Sequence, residues 1–299
     1  PTDSMNAKQL VQNATVALHH AVEQGGKQCQ FFSTEMNARA RQRLALESGI
    51  RRALARQEFV VYYQPKIDVK QGRVAGMEAL VRWRDPERGL IPPGEFIPVA
   101  EESGLIEAIG QWVLEETCAQ NKRWQQEGLP AVRASVNVSA RQFRNPRFVG
   151  LVEQVLEQTG LEPRWLELEI TESMLMGDIE TIVTRMEDLR KVGVSLSIDD
   201  FGTGYSSLSY LSRFPITTLK IDRAFIADVQ TNPQTAEITR AIIGLSRGLD
   251  LEVVAEGAEV VEQIEFLQTH GCELVQGFYY SRPLPAEEFA KMLRDGPAV

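Results

Sequence analysis

Residues 59–83 read FVVYYQPKIDVKQGRVAGMEALVRW, two apolar, β-rich runs separated by four positions. The runs cover 59–68 and 73–82, and each has the make-up of a strand. The joint between them, Val69 to Gly72, fits a hairpin and is far too short for the crossover that parallel strands need. The first strand therefore runs antiparallel to the other seven. Those further apolar runs lie at 73–82 and near 132–138, 165–170, 194–199, 217–221, 250–255 and 273–277, making eight in all. From the second run onward helical stretches separate them, among them 103–127, 147–159, 179–191, 234–247 and 259–269. Alternating strands and helices imply crossovers and a parallel sheet. Eight of them predict an α/β fold of the (β/α)8 TIM-type barrel class, here with an antiparallel first strand.

The segments around this frame read differently. Residues 83–102, with Pro86, Gly89, Pro92, Pro93 and Pro98, predict a turn-rich loop after the second strand. Upstream, 36–57 is charged and helix-favouring, with Ala40, Leu44, Leu46, Ile50 and Leu54 at near-helical intervals. Its arginines (Arg39, Arg41, Arg43, Arg51, Arg52, Arg56) read as a solvated face paired with local glutamates, and the segment as a connecting helix. Residues 7–23 carry helical spacing, Gly25 and Gly26 break it, and Cys29 to Phe32 forms a short β-like run. An N-terminal helical segment thus precedes the barrel, and a chain that opens on Pro1 reads as a piece of something longer.

Composition narrows the function. The 299 residues suit one barrel of about 250 residues plus an appendage. Forty-one acidic residues against 32 basic give a net charge of −9, which argues against bulk attraction to a nucleic-acid polymer or an anionic membrane. No window reaches the roughly 18 unbroken apolar residues of a membrane span. Three distant cysteines, Cys29, Cys118 and Cys272, fit a reducing cytoplasm, with any membrane anchor left to the missing upstream region. The three histidines (His19, His20, His270) and the lack of a Cys-x-x-Cys pair leave little for a zinc site. A metal here would be a hard cation on carboxylate and amide oxygens, Mg²⁺ or Mn²⁺.

Barrel chemistry sits at the carboxyl ends of the strands. Read in order, those ends carry Glu78, Asn137, Glu169 with Glu172, the pair Asp199 and Asp200, Lys220 with Asp222, Glu256 with Glu259, and Gln276. Singly, each has an ordinary explanation: a paired structural carboxylate, turn chemistry, a strand-end amide satisfying backbone. Jointly they do not, because five or more carboxylates at one mouth with a single lysine would repel one another strongly. The cluster predicts divalent cations. Glu78, Asn137, Glu169 and Asp199 could supply one ion, with Asp200 and Glu256 holding a second and Asp199 bridging. Such a pair is the clamp used for in-line phosphoryl chemistry, and it reverses the sign of the pocket for a phosphate-bearing substrate.

The motifs YYQPKID, MEALVRW, SVNVS, ELEITES, DDFGTGYSSLSYL, LKIDRAFI, VAEGAE and VQGFYYSRP, in this order over about 40–295, resemble the EAL-domain family of cyclic-di-GMP phosphodiesterases. The resemblance implies hydrolysis of one phosphodiester of cyclic di-GMP to linear pGpG with two Mg²⁺ or Mn²⁺ ions. It matches Glu78, Asn137, Glu169 and Asp199 to a first metal set and Asp199, Asp200 and Glu256 to a second. It gives catalytic parts to Lys220, Glu256 and Glu78. Gln64, Leu80, Arg82 and Asp222 match positions near the substrate, and Gln276 matches a polar position in the metal-water network. Glu172 and Glu259 match loop-supporting glutamates, the latter also a candidate support for Lys220. Ala258 and Phe278 stand where the family usually shows Val and Tyr; neither is a ligand position.

Lys220, its pKa depressed by cationic neighbours, is the favoured base, with Glu256 the rival. Arg82 suits a phosphate oxygen or guanine edge, or equally a salt bridge at the rim. Gly202 and Gly204 let the loop after Asp200 bend. Tyr205, Leu208, Tyr210 and Leu211 form an apolar strip that is either core or a subunit contact, and the resemblance favours a homodimer there. Residues 1–35 resemble the tail of a GGDEF domain, or are an unrelated helix, which gives boundaries of 1–35, 36–57 and 58–299 and an upstream sensory or GGDEF domain as partner. Two other classes compete: a non-catalytic cyclic-di-GMP receptor, which would lack a ligand or the lysine, and an enolising barrel enzyme, which leaves DDFGTG and QGF unexplained.

Overall fold

The computed structural model describes residues 6–23, 25–204 and 211–297. Nine strands form one sheet among these residues: β1 (Phe59–Asp68), β2 (Arg73–Asp85), β3 (Gly89–Ile91), β4 (Arg133–Asn137), β5 (Leu166–Thr171), β6 (Ser195–Phe201), β7 (Thr218–Ile221), β8 (Glu252–Glu256) and β9 (Leu274–Gln276). The order β1-β9-β8-β7-β6-β5-β4-β2-β3, with β1 also paired to β2, closes every strand except β3 into a barrel. β1 is antiparallel to both neighbours, and the ring from β2 through β4 to β9 is parallel.

The β1–β2 turn is built by its own residues. Asp68 Oδ1 accepts from the backbone N–H of Lys70 and of Gln71, both at 3.0 Å, and Gly72 takes the positive φ of 61° that closes the loop. Tyr63 exchanges both backbone hydrogen bonds with Leu284 at 2.8 Å, so the chain after β9 covers an edge that β9 reaches only at Ile67 and Asp68.

Alternation along the strands sorts the side chains. Leu166, Leu168 and Ile170 of β5 are fully buried toward the surrounding helices, while Glu167 and Glu169 point to the axis and meet groups from β1 and β7. Outside β1, Tyr63 packs edge-on to Trp124 at 4.9 Å, and Trp124 meets Phe289 in a tilted pair at 5.4 Å. The helices Ile106–Gln126 and Ala286–Asp295 are pinned there.

Two expectations are corrected. The 83–102 segment is not a loop: it holds β3 and the helix Pro93–Ser103, with Pro98 inside it. Pro93 occupies the first helical position, where its missing N–H costs nothing, and burial of Phe96 and Ala100 against the barrel outweighs the break at Pro98. Cys29 to Phe32 is not a strand; it is irregular chain between the helices Ala7–Glu23 and Thr34–Arg56, and Phe31 is exposed. The arginine-rich helix does use glutamates: Arg51 pairs with Glu47 at 2.9 Å, and Arg43 pairs with Glu102 of the neighbouring helix. No described helix is long and apolar enough to cross a membrane.

Candidate functional site

The carboxyl ends of the parallel strands surround a cavity of about 540 Å³. Glu78 and Leu80 from β2, Asp199 and Asp200 from β6, and Glu256 from β8 line it. Gln64 from β1, Gln276 from β9, and Asp222 and Glu259 from the loops complete that part of the wall predicted from sequence. A second cavity of about 580 Å³ opens at the amino ends, lined by Arg133, Glu167 and Glu252 among others. The first holds the convergent acids and is the end where barrels place their chemistry.

Lys220 of β7 is completely buried beneath the mouth. Its Nζ lies 2.5 Å from Glu169 Oε2, 2.6 Å from Glu256 Oε1, 3.0 Å from Asp199 Oδ1 and 3.6 Å from Glu78 Oε2. Burial alone would lower its pKa, but Glu169, Glu256, Glu78 and Asp199 outweigh it and hold the ammonium well above its ordinary value. The depression expected from bound cations belongs to the loaded site; within the chain itself the charges facing Lys220 are acids. Glu259 is exposed and is not among the acids that pair with Lys220; its backbone N–H donates to Gln263 Oε1 at 2.7 Å.

Glu78 is held at both oxygens, by Asn137 Nδ2 at 2.6 Å and by Gln276 Nε2 at 2.5 Å, and Gln276 Nε2 also reaches Gln64 Oε1 at 3.1 Å. Asp200 follows Asp199 with a left-handed φ of 55°, a conformation that aspartate tolerates better than most residues. The Asp200 backbone N–H donates to Asp199 Oδ1 at 3.0 Å. Glu172 accepts from the N–H groups of Gly202 at 2.8 Å and Gly204 at 3.4 Å, so a buried carboxylate clasps the loop that follows Asp200. Arg82 lies outside the cavity wall; its guanidinium donates to Val81 O at 2.9 Å and sits over the Tyr62 ring. Tyr205, Leu208 and Tyr210 of the apolar strip lie outside the described residues, and Leu211 is buried in the core.

The donor set suits a hard divalent cation. Asp199, Asp200 and Glu256 place carboxylate oxygens within 4.8 Å of one another. Burial, then Asp199 and Asp222, push Asp200 up to about 6. Burial and the acids Asp199, Glu78 and Glu169 push Glu256 up to about 8, against the opposing pull of Lys220. Gln276 Oε1 beside Glu78 is buried without a hydrogen-bond partner among the described residues. A positive charge at the mouth relieves each of these costs.

Sequence reasoning missed Lys66, Ser135, Glu167 and Thr218, which form a buried network under the mouth. The available signal was a polar residue at an inward position in both YYQPKID and ELEITES. Gly277, next to Gln276, was also overlooked: a Cβ there would stand 2.0 Å from Ala258 O and 2.5 Å from Ala258 N. Gly277→Ala is expected to cost about 1–3 kcal/mol by overpacking and to displace Gln276. Denaturant melts check the first effect, and a variant as stable as the parent removes the close-approach argument.

Residues 47–283 match the EAL domain family. The chain is 46% identical over 288 residues to the bifunctional diguanylate cyclase/cyclic di-GMP phosphodiesterase MucR of Pseudomonas aeruginosa, a match covering 96% of this chain and 42% of MucR. It is 43% identical over 294 residues to the cyclic di-GMP phosphodiesterase NbdA of the same organism, covering 98% of this chain and 38% of NbdA. It therefore spans about two fifths of the length of these relatives. A solved structure of the PaMucR phosphodiesterase in its c-di-GMP complex superposes with a TM-score of 0.80 at 46% identity, over 82% of this chain and 99% of that one. An antiparallel-started barrel with its acids gathered at one mouth, matched in sequence over nearly its whole length, places this chain in the EAL domain family.

Proposed function

We propose that this chain hydrolyses one phosphodiester of cyclic di-GMP to linear pGpG in a reaction that depends on two divalent cations, Mg²⁺ or Mn²⁺. The observation that carries the reading is the convergence of Glu78, Glu169, Asp199 and Glu256 on one buried lysine, with Asp200 beside them. The phosphodiesterase relatives and the c-di-GMP complex of the superposed PaMucR domain support it.

Glu78, Asn137, Glu169 and Asp199 would hold one ion and Asp199, Asp200 and Glu256 the other. When bound, such ions stabilise developing charge on phosphorus oxygens and acidify a water toward neutrality. The chain's own residues do the rest. Lys220 reaches the acids from below, and we assign it the orientation of the attacking water; accepting the water's proton would require the cations' charge to bring the ammonium's pKa down. Glu256, its carboxylate spent as a ligand, is the rival. Asn137 and Gln276 keep the Glu78 carboxylate turned toward the mouth. Gln64, Leu80 and Asp222 offer the cavity wall to the nucleotide, and Arg82 reaches a phosphate or guanine edge by leaving Val81 O. Glu172 fixes the loop that presents Asp200, and Glu259 supports the loop after β8.

Residues 1–35 are assigned to the tail of a preceding GGDEF-type domain, 36–57 to a connecting helix and 58–299 to the barrel, in keeping with relatives more than twice as long. A homodimer, a cytoplasmic location and an upstream sensory or GGDEF domain complete the proposal. Incubation with cyclic di-GMP and Mn²⁺ or Mg²⁺ is expected to yield pGpG by chromatography, and a chelator to abolish it. Binding without product under both metals would make the chain a receptor instead.

A further inference from the structure

A second buried ammonium lies in the axis of the barrel, and the proposed hydrolysis leaves it unused. Lys66 of β1 is 4% exposed. Its Nζ donates to Ser135 Oγ at 2.6 Å, Glu167 Oε2 at 3.1 Å and Glu169 Oε1 at 2.8 Å, which spends all three of its protons. Charge balance alone does not call for this arrangement. Glu167 also accepts from Ser135 Oγ and Thr218 Oγ1, each at 2.7 Å, and has Arg133 at 3.4 Å. The register of β1 on β2 shifts between Lys66 and Ile67, leaving Ala75 of β2 unpaired beside Lys66's partner Gly76. At Gly76 a Cβ would come within 3.2 Å of the Arg133 backbone oxygen, with the Lys66 stem in ordinary contact at 3.6 Å.

The consequence falls on Glu169. Its two oxygens are divided, Oε1 to Lys66 and Oε2 to Lys220 at 2.5 Å, and it is Lys220 that in turn meets Asp199 and Glu256. We propose that Lys66 is a positioning residue that reserves Oε1 of Glu169, so that Glu169 offers a divalent cation one oxygen and never two. This rests on the metal-dependent reaction proposed for the mouth and adds a selectivity to it. Mg²⁺ and Mn²⁺ suit compact sites of about six single-oxygen ligands, whereas Ca²⁺ favours more ligands and bidentate carboxylates. Pinning Oε1 therefore biases the mouth toward the smaller ions.

Mn²⁺ binding by electron paramagnetic resonance and Ca²⁺ binding by calorimetry, on the whole chain, test this. Lys66→Met paired with Glu167→Gln removes one buried charge of each sign, and Glu167→Gln alone is the control. The double variant is expected to lose about 10–100-fold in Mn²⁺ affinity, the usual cost of removing a ligand's support, while Ca²⁺ affinity falls by less, so the Mn²⁺/Ca²⁺ preference narrows by about tenfold. The control keeps the parental preference. Ser135→Ala, which removes the hydroxyl that Lys66 Nζ and Glu167 Oε2 share, is expected to narrow the preference by about threefold and serves if the double variant does not fold. An unchanged Mn²⁺/Ca²⁺ ratio in a folded double variant, or in Ser135→Ala if it does not fold, overturns the role of Lys66 while leaving the metal site standing. Failure of the parent chain to bind Mn²⁺ at all overturns both.

Discussion

Lys220→Ala is expected to lower turnover of cyclic di-GMP by about 10²–10⁴-fold and to leave Mn²⁺ binding as tight as in the parent, or tighter. The first effect follows from losing the group that orients the attacking water. The second follows from where the ammonium sits. Lys220 Nζ is within 3.0 Å of Glu169, Asp199 and Glu256, so it occupies the field of oxygens that a cation would use and competes with it. Without the ammonium, these buried acids face one another uncompensated, a loss of about 3–5 kcal/mol of stability when no cation is supplied. Added Mn²⁺ restores much of the melting temperature, because it replaces the missing charge. Parallel titrations, turnover assays and melts in chelator and in Mn²⁺ check this. A fall in Mn²⁺ affinity by the same factor as turnover would show that Lys220 only holds the site together.

Much of the fold was legible because short-range rules decide it. Four residues between two apolar runs permit only a hairpin, and Asp68 and Gly72 supply that turn. The misreading of 83–102 has the opposite cause: five Pro and Gly positions are a sound signal for a turn, yet Pro93 starts a helix and burial of Phe96 and Ala100 holds it past Pro98. At the site, strand-end reasoning brought Glu78, Glu169, Asp199, Asp200, Lys220 and Glu256 to one place because each lies at or near the carboxyl end of the stretch over which its strand pairs in the parallel part of the barrel. Lys66 escaped it because β1 runs the other way, so its position relative to the mouth depends on the antiparallel register Gln64↔Glu78 and Lys66↔Gly76. Its partners Ser135, Glu167 and Glu169 lie 69, 101 and 103 residues further on, distances that only barrel closure spans. The nearest charges to Lys220 are carboxylates contributed by β2, β5, β6 and β8, which strand-end reasoning had already gathered around it.

Glu169→Gln is the substitution expected to harm the protein most, and it does so before any question of activity. Glu169 is completely buried between two ammonium groups, Lys66 at 2.8 Å on Oε1 and Lys220 at 2.5 Å on Oε2. A glutamine of the same shape offers one oxygen and one NH₂, so one lysine must face another donor with no water to replace the lost partner. Breaking a buried pair in this way costs about 3–5 kcal/mol. Mn²⁺ cannot offset it, since the cation would lose a ligand and the two lysines would still repel. Asp200→Asn gives the contrast. Burial, with Asp199 and Asp222, raises the Asp200 carboxyl to about 6, so its charge is disfavoured in the folded chain above that pH. Removing it leaves stability in chelator equal to the parent or higher, with the gain largest above about pH 6 and fading as pH falls toward the ordinary carboxylate value. Both changes remove one negative charge from the same rim, so a general electrostatic effect would move both melts in the same direction. Urea titrations of the two variants in chelator decide the matter: Glu169→Gln melting with the parent, or falling no further than Asp200→Asn, would mean that the axis of the barrel is not held by a carboxylate shared between two lysines.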